Sequence, residues 1–416
     1  MKTLKNIGKI ALLSLALCGG TTSCNYLDVV PPEQASLPDA TKDPESTLGF
    51  LFSCYGGIRN PFDYQTVEAG ADEYVLPPLW NTGSQKITWD LNLPTNIADG
   101  WSWGSNYRFI GQCLLFLQQL PHARGVTDEQ KRAWAAEANF LLAYYHMVTL
   151  VAYGPCPITD TYIDQATPES EYNGRMHFDY VKDWICQKFD EVCEDGQLPA
   201  TRTGDEWGRA TSVMAKALKA RLLVYAASPL FNGSFPYKDW ENTNFETPGY
   251  GKELISLKYD RKKWEVAKAA CQEAITAAEA AGHKLFSLED AQSLYQQAGL
   301  PLPFVPFKSA EGGTADKDKE FMERVQLMRY VVTTRYKEGN RETIWGLANQ
   351  GTMIIGSLPH RVIKNNQGTW KAGYSGVSPT LNTVERFYTE NGVPIEKDNQ
   401  FYPQSEWYQS AGTLSS

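Results

Sequence analysis

The sequence predicts a mainly α protein. Two observations lead there. Several long segments repeat apolar residues at helical spacing and are bounded by capping and breaking residues. Within those segments alanines stand beside large aromatics, a pattern that brings helix axes close and fills the wedge between them. The composition agrees: 42% apolar and 21% charged residues over 416 positions is globular, neither disordered nor polytopic.

Residues 1–23 form a separate segment. Lys2, Lys5 and Lys9 precede the apolar run from Ile10 to Leu17, which is the charged start and short centre of a signal peptide. The run is too short to span a bilayer, which takes roughly 20 apolar residues. Thr21-Thr22-Ser23 then lead to Cys24, a small-residue approach to a cysteine that marks a lipoprotein cleavage site. Cys24 is expected to carry the lipid. The competing Cys18 follows the bulky Leu17. Residues 24–45, with Pro31-Pro32, read as a lipid-anchored tether and the start of the fold. Residues 46–416 are expected to form one domain.

A helix should begin near Asp43 or Pro44 and run through Leu48, Phe50 and Leu51 to Tyr55. Residues 60–100 differ. Pro61, Pro77, Pro78 and Pro94 with Gly70, Gly83 and Gly100 break regular structure. Trp101, Trp103, Tyr107, Ile110, Leu114 and Leu117 return to helical spacing. Asp128 is positioned to cap a helix over 128–153, apolar on most of its circumference and ended by Gly154-Pro155. Further helices fit 178–193, with Tyr180, Trp184, Ile185 and Phe189 inward, and 209–227, with Val213, Ala217, Ala220 and Val224 in one stripe. A last one fits 260–281, where Trp264, Ala267, Cys271, Ala274 and Ala278 align and Gly282 stops the run. The Ala–aromatic faces fit a superhelical array of antiparallel hairpins, as in tetratricopeptide stacks, or a plain bundle. No strict 34-residue period decides between them. From 283 onward the chain is irregular, with a short strand expected over Glu342–Leu347.

Catalytic motifs are absent. There is no G-x-S-x-G, H-E-x-x-H, G-x-x-x-x-G-K-[ST] or G-x-G-x-x-G, and the five histidines are scattered. His146, inside a buried helix, reads as a packed core residue. No C-x-x-C occurs, so neither a zinc nor a redox motif is supported, and no cofactor or metal is expected. The cysteines at 54, 113, 156, 186, 193 and 271 read mostly as buried thiols. Among acidic pairs only Asp72-Glu73 lies in an aromatic loop region. The net charge of −9 excludes a nucleic-acid binder, and removing residues 1–23 takes three lysines and no acid.

What remains is binding. The chain holds 12 Trp, 22 Tyr and 17 Phe. Most of these rings belong to the core, yet an exposed ring meets the C–H face of a sugar while amide and carboxylate side chains meet its hydroxyl rim. Trp80, Tyr74, Asp72 and Asn81 supply both kinds within ten residues, and Trp89 follows. These five are the candidate ligand contacts. The loop-rich stretches 60–105 and 283–416 form the candidate ligand region.

The chain resembles the SusD/RagB outer-membrane lipoproteins. Cys24-Asn25-Tyr26-Leu27-Asp28 with Pro31-Pro32 is similar to the family's start after the signal. Ala136-Glu137-Ala138-Asn139-Phe140-Leu141-Leu142-Ala143-Tyr144-Tyr145, followed by Tyr153-Gly154-Pro155-Cys156-Pro157, is similar to its most distinctive segment, although Leu142 stands where the family usually has Arg. Arg209-Ala210-Thr211 through Tyr225-Ala226 looks like its next helix. Ser378-Pro379-Thr380, Val384-Glu385-Arg386-Phe387-Tyr388 and Asn391-Gly392-Val393-Pro394-Ile395 match a late signature.

The resemblance implies four irregular tetratricopeptide-like helix pairs with long loop excursions and few short strands. It implies a non-catalytic, surface-exposed lipoprotein of the outer membrane that captures oligosaccharide or polysaccharide. The partner it implies is a SusC-type TonB-dependent transporter. Glycan contacts vary between members, so none is carried over. Relatives continue well past the Asn-Gly-x-Pro-Ile segment, whereas this chain stops 21 residues after Ile395, as a truncated product would. Two rival readings stay open: a helical-toroid glycoside hydrolase or lyase, and a peptide-binding or protein-adaptor lipoprotein.

Overall fold

A computed structural model describes residues 37–58, 71–76, 103–164, 166–297, 339–346, 378–389 and 391–400, with single residues and short pairs elsewhere between 86 and 406. Cys24 and the signal segment lie outside the described residues, as do Trp80, Asn81 and Trp89.

After a 3-10 turn over Leu37–Thr41, α1 spans Pro44–Tyr55. Its N-cap is Asp43, whose carboxylate accepts the Ser46 N–H at 2.7 Å, and Pro44 supplies a pre-set φ at the first helical position. Phe50, Leu51 and Cys54 face inward, and Phe50 meets Phe116 edge-on at 5.3 Å. A two-residue strand, β1 (Tyr74–Val75), precedes α2 (Trp103–Gln119).

The helix α3 spans Asp128–Tyr153. Its cap is Thr127 and not Asp128: the Thr127 hydroxyl accepts the Gln130 N–H and the Gln130 side chain accepts the Thr127 N–H. Asp128 becomes the first helical residue, where its charge still favours the N-terminal dipole. The helix ends at Gly154, whose φ of 69° suits glycine.

Next come α4 (Phe178–Glu191), α5 (Ser212–Ala227), α6 (Arg261–Ala280) and a helix absent from the sequence reading, α7 (Leu288–Gln297). Thr211 caps α5 and Asp260 caps α6 through side-chain oxygens. The expected starts at 209 and 260 therefore fall one to three residues early, in the capping turns.

The helices pack mainly on their neighbours in the chain: α1 on α2, α2 on α3, α3 on α4, α4 on α5 and α5 on α6, while α3 also reaches α1 and α5. This is an ordered array, which settles the choice between superhelix and plain bundle. Position in the array explains two departures from the expected stripes. α5 lies between α4 and α6, so Val213, Met214, Ala220, Leu222, Leu223 and Ala227 are buried around it and no single stripe survives; Val224 is exposed. α6 buries only Ala267, Ala270, Ala274 and Ala278 against α5 and leaves Trp264 42% exposed. The alanine seam permits the close α5–α6 approach.

The excursion between α5 and α6 is tied to the core by rings. Phe231 stacks on Phe178 at 4.2 Å, and Phe235 stacks on Trp240 at 5.5 Å. The remaining regular structure is small: β2 (Ile363–Lys364) pairs antiparallel with β3 (Trp370–Lys371), and β4 (Ser378–Pro379) precedes a one-turn helix, α8 (Leu381–Glu385). The strand expected from Glu342 is a turn over its described residues, 342–346. Asn340 bends the chain by accepting the Glu342 N–H, and Trp345 leaves the turn to dock on Phe140 and Tyr144 while its indole N–H donates to Gly208 O.

Candidate functional site

The described part of the candidate loop region meets the late signature segment. β1 pairs antiparallel with β4, placing Tyr74 opposite Pro379 and Val75 opposite Ser378. The Thr380 N–H donates to Glu73 O at 3.1 Å, and the Thr383 hydroxyl donates to Asp72 O at 3.1 Å. Both oxygens of the Asp72 carboxylate are engaged: Oδ1 by the Asn382 amide at 3.2 Å and Oδ2 by the Arg386 guanidinium at 2.9 Å. The ion pair is open to solvent, so it contributes under about 1 kcal/mol and serves to fix geometry. Asp72, a predicted sugar contact, is here a strut between two segments more than 300 residues apart.

The strut places two rings at the surface. Phe387 is 66% exposed and Tyr388 67%. Their backbone is firmly held. Tyr388 bridges Pro394, the Thr389 N–H donates to Val393 O at 2.9 Å, and Gly392 turns the chain with φ at 72°. Asp398 accepts from the Thr389 hydroxyl, the Asn391 amide and the Gln400 N–H; chiefly the Thr389 bond holds its carboxyl below the usual range. A rigid backbone bearing exposed rings loses little entropy on binding. Asp72, Glu73, Glu385, Glu396 and Asp398 outnumber Arg386 and Lys397, so the described junction is acidic.

Of the five predicted contacts, the structure brings Asp72 and half-buried Tyr74 to this junction. Trp80, Asn81 and Trp89 lie outside the described residues. The residues that sequence reasoning passed over are Arg386, Phe387 and Tyr388, which it used only as a mark of resemblance. Local sequence carries no signal for their exposure, since the successive rings Tyr144 and Tyr145 both pack into the core.

A second polar cluster is structural. Glu137 of α3 is fully buried, and its carboxylate accepts from Tyr55 of α1 at 2.6 Å and from Arg202 at 2.9 Å. Two bonds from Arg209, at 2.5 and 3.1 Å, complete it. Glu206 takes one further bond from each arginine. Two acids and two arginines make the cluster neutral, as burial requires. The two segments that carry most of the resemblance, around Glu137 and Arg209, thus meet in one ion network. A small pocket beside it is lined by Arg202, Trp207, Thr211 and His283.

His146 is buried among helices as expected. Its Nδ1 lies 2.8 Å from Leu142 O and its Nε2 accepts the Thr159 N–H at 3.1 Å, so Nδ1 carries the proton. Burial pushes the ring down to about 4 and keeps it neutral. Among the described residues no cluster of His, Cys, Asp or Glu has metal-ligand grouping, and all six described cysteines are free thiols. No helix of the described residues is long and apolar enough to cross a membrane.

A superhelical α array with long excursions between its helices, two of them joined at an exposed aromatic junction, defines the class of protein. Comparison with solved structures makes it specific: the chain has the fold of the SusD superfamily. It aligns with BT4246 at 52% identity and a TM-score of 0.76, over 90% of this chain and 62% of that one; selenomethionine BT4246 gives 51% and 0.71, over 89% and 60%. A SusD-like protein from Bacteroides fragilis NCTC 9343, BF3747, aligns at 17% identity and 0.57, over 87% and 57%. The chain therefore spans about three fifths of the length of these proteins. No family profile and no curated protein sequence matches it.

Proposed function

We propose that this protein is a non-catalytic binder of oligosaccharide or polysaccharide at the outer face of the cell. It is anchored in the outer membrane through lipid on Cys24 and passes its ligand to a SusC-type TonB-dependent transporter. The observation that carries the reading is the junction of β1 with β4 and α8, where a braced backbone presents Phe387 and Tyr388 beside Arg386 and Asp72. Rings for sugar faces and polar groups for hydroxyl rims stand together there, on a SusD-superfamily fold. Trp80 is the leading contact in the adjoining loop, with Tyr74 and Trp89 behind it and Asp72 and Asn81 at the rim. Asp72 acts in this reading mainly by holding Arg386 in place.

The test is calorimetric titration with polysaccharides first selected by affinity electrophoresis. Tyr388→Ala and Trp80→Ala should each weaken binding by about 1–3 kcal/mol, the range for losing one anchor. Unchanged affinity in both variants refutes this placement. Release of reducing sugar from the same panel would turn the reading toward a hydrolase or lyase. Retention of the transporter with no glycan bound would turn it toward an adaptor.

A further inference from the structure

His177 stands immediately before α4, and its fully buried ring is gripped by two elements. Its Nδ1 accepts the Asp179 N–H at 3.1 Å, which caps the helix. Tyr250, from the excursion between α5 and α6, stacks on the ring at 3.9 Å with the planes 14° apart. Further bonds hold the excursion to the same place. The His177 N–H donates to the Thr247 hydroxyl at 2.9 Å, the Phe178 N–H to Leu254 O at 2.8 Å, and the Asn242 amide to Arg175 O at 2.6 Å. Segment 242–254 is thus folded over the start of α4 with His177 beneath it. Thr247 and Tyr250 belong to one turn, closed by reciprocal N–H to O bonds between Thr247 and Gly251, so they move together.

The site suits only the neutral ring. Because Nδ1 is an acceptor, the proton of the neutral ring is on Nε2, which is buried with no hydrogen-bond partner among the described residues. A second proton can go only to Nδ1, where it would face the Asp179 N–H, donor against donor. The charge would also sit at the positive end of the α4 dipole. The surrounding charges do not compensate. Asp179 of α4 is already answered by Lys263 of α6 at 2.8 Å and by Lys182 at 3.6 Å, and Lys182 holds Asp183 at 2.9 Å. The excursion adds Tyr250 and the exposed Glu246 and Glu253. Arg175, on the connection before α4, is turned to Tyr153 O and Pro155 O. Burial pushes the ring down to about 4 from 6.5; Asp179 opposes this, and Lys263 and Lys182 add to it. His146 is neutral too, but it lies among the helices and gains a proton only when the array unfolds. His177 is covered by a single turn.

We propose that His177 is the latch of an acid-sensitive flap: protonation expels its ring from beneath Tyr250 and releases segment 242–254 from α4 while the helical array stays folded. The open state takes up the proton first, so the latch is closed above pH ~6.5 and weakens as pH falls toward ~4. It is independent of the glycan-binding reading and stands or falls without it.

Hydrogen exchange of the whole chain tests this, read by peptide mass spectrometry and corrected for the intrinsic effect of pH on exchange. Between pH 7 and pH 5 the ratio of open to closed flap should rise about 20-fold, as ring values of 6.5 when open and about 4 when closed require. Peptides within 242–254 should lose protection by that factor in wild type and in His146→Gln. They should keep it in His177→Asn, whose side chain can still cap α4 but does not titrate. His177→Gln serves as a second non-titrating variant, and a melting temperature near that of wild type at pH 7 checks that each folds. Wild-type protection over 242–254 that does not change with pH overturns the proposal, as does a change that persists in the His177 variants. Loss of protection over α3 to the same level would show global unfolding and overturn it as well.

Discussion

Replacing Glu137 by Gln removes one charge and leaves the side-chain shape. In the native protein the Glu137 carboxylate accepts four bonds, one from Tyr55, one from Arg202 and two from Arg209, and it is fully buried. Gln offers one carbonyl oxygen, and its NH2 group faces donors that it cannot satisfy. The cluster passes from neutral to a net positive charge, with Glu206 as the one acid left, and that carboxylate is 55% exposed. Stranding a buried, hydrogen-bonded charge costs about 3–5 kcal/mol, whereas the comparable change at the exposed Glu206 costs under about 1 kcal/mol. Urea unfolding reads both: the Glu137→Gln midpoint should fall well below that of Glu206→Gln, at an unchanged slope. A loss at Glu137 no larger than at Glu206 would refute the idea that this network joins α1, α3 and the α4–α5 connection.

Two further outcomes follow from buried groups. His146 is held at about 4 against an ordinary 6.5, so the unfolded chain takes up the proton first; stability is intact above pH ~6.5 and declines by about 3 kcal/mol as pH falls toward ~4. Urea midpoints measured from pH 7 to pH 4 should show this decline in wild type and a flatter one in His146→Gln, and equal slopes would contradict it. Burial also raises the thiols of Cys156 and Cys186 to about 12, so neither should react with iodoacetamide at pH 8 until the protein is unfolded. Peptide mass spectrometry of native and denatured samples checks this, and alkylation of either cysteine in the native sample would count against the packing of α4 or of the segment that follows Gly154.

Legibility in the sequence tracked the range of the interaction. Helix α3 was readable nearly to the residue, because its apolar wrap, its N-terminal turn and the Gly154-Pro155 stop are all local. The stripes of α5 and α6 were read less well. Whether Val224 or Trp264 is covered depends on which helix lies alongside, and that is a property of the array. Nothing local marks Glu137 as a network centre, because its partners come from 65 and 72 positions away in Arg202 and Arg209. The β1–β4 pairing joins residues 305 apart at Tyr74 and Pro379, and two-residue strands carry no period to betray them. The candidate loop was recognised by composition, but the rings that the described structure exposes beside it came from the other end of the chain.

This division has a mechanical consequence. The helices are fixed to one another by an interior that tolerates little change: alanine seams, stacked rings and a neutral ion network whose members come from α1, α3 and the α4–α5 connection. The exposed aromatics at Tyr237, Tyr259, Phe387 and Tyr388 contribute almost nothing to that interior. Each is carried on irregular backbone that is itself braced, by Asn232 and Gly233 in one case and by Asp72, Gly392 and Asp398 in the other. Substituting a surface ring therefore alters what the protein presents without cost to how it folds, while the bracing keeps the ring where a ligand would meet it. A scaffold built this way can change what its surface rings meet by changing a few loop residues.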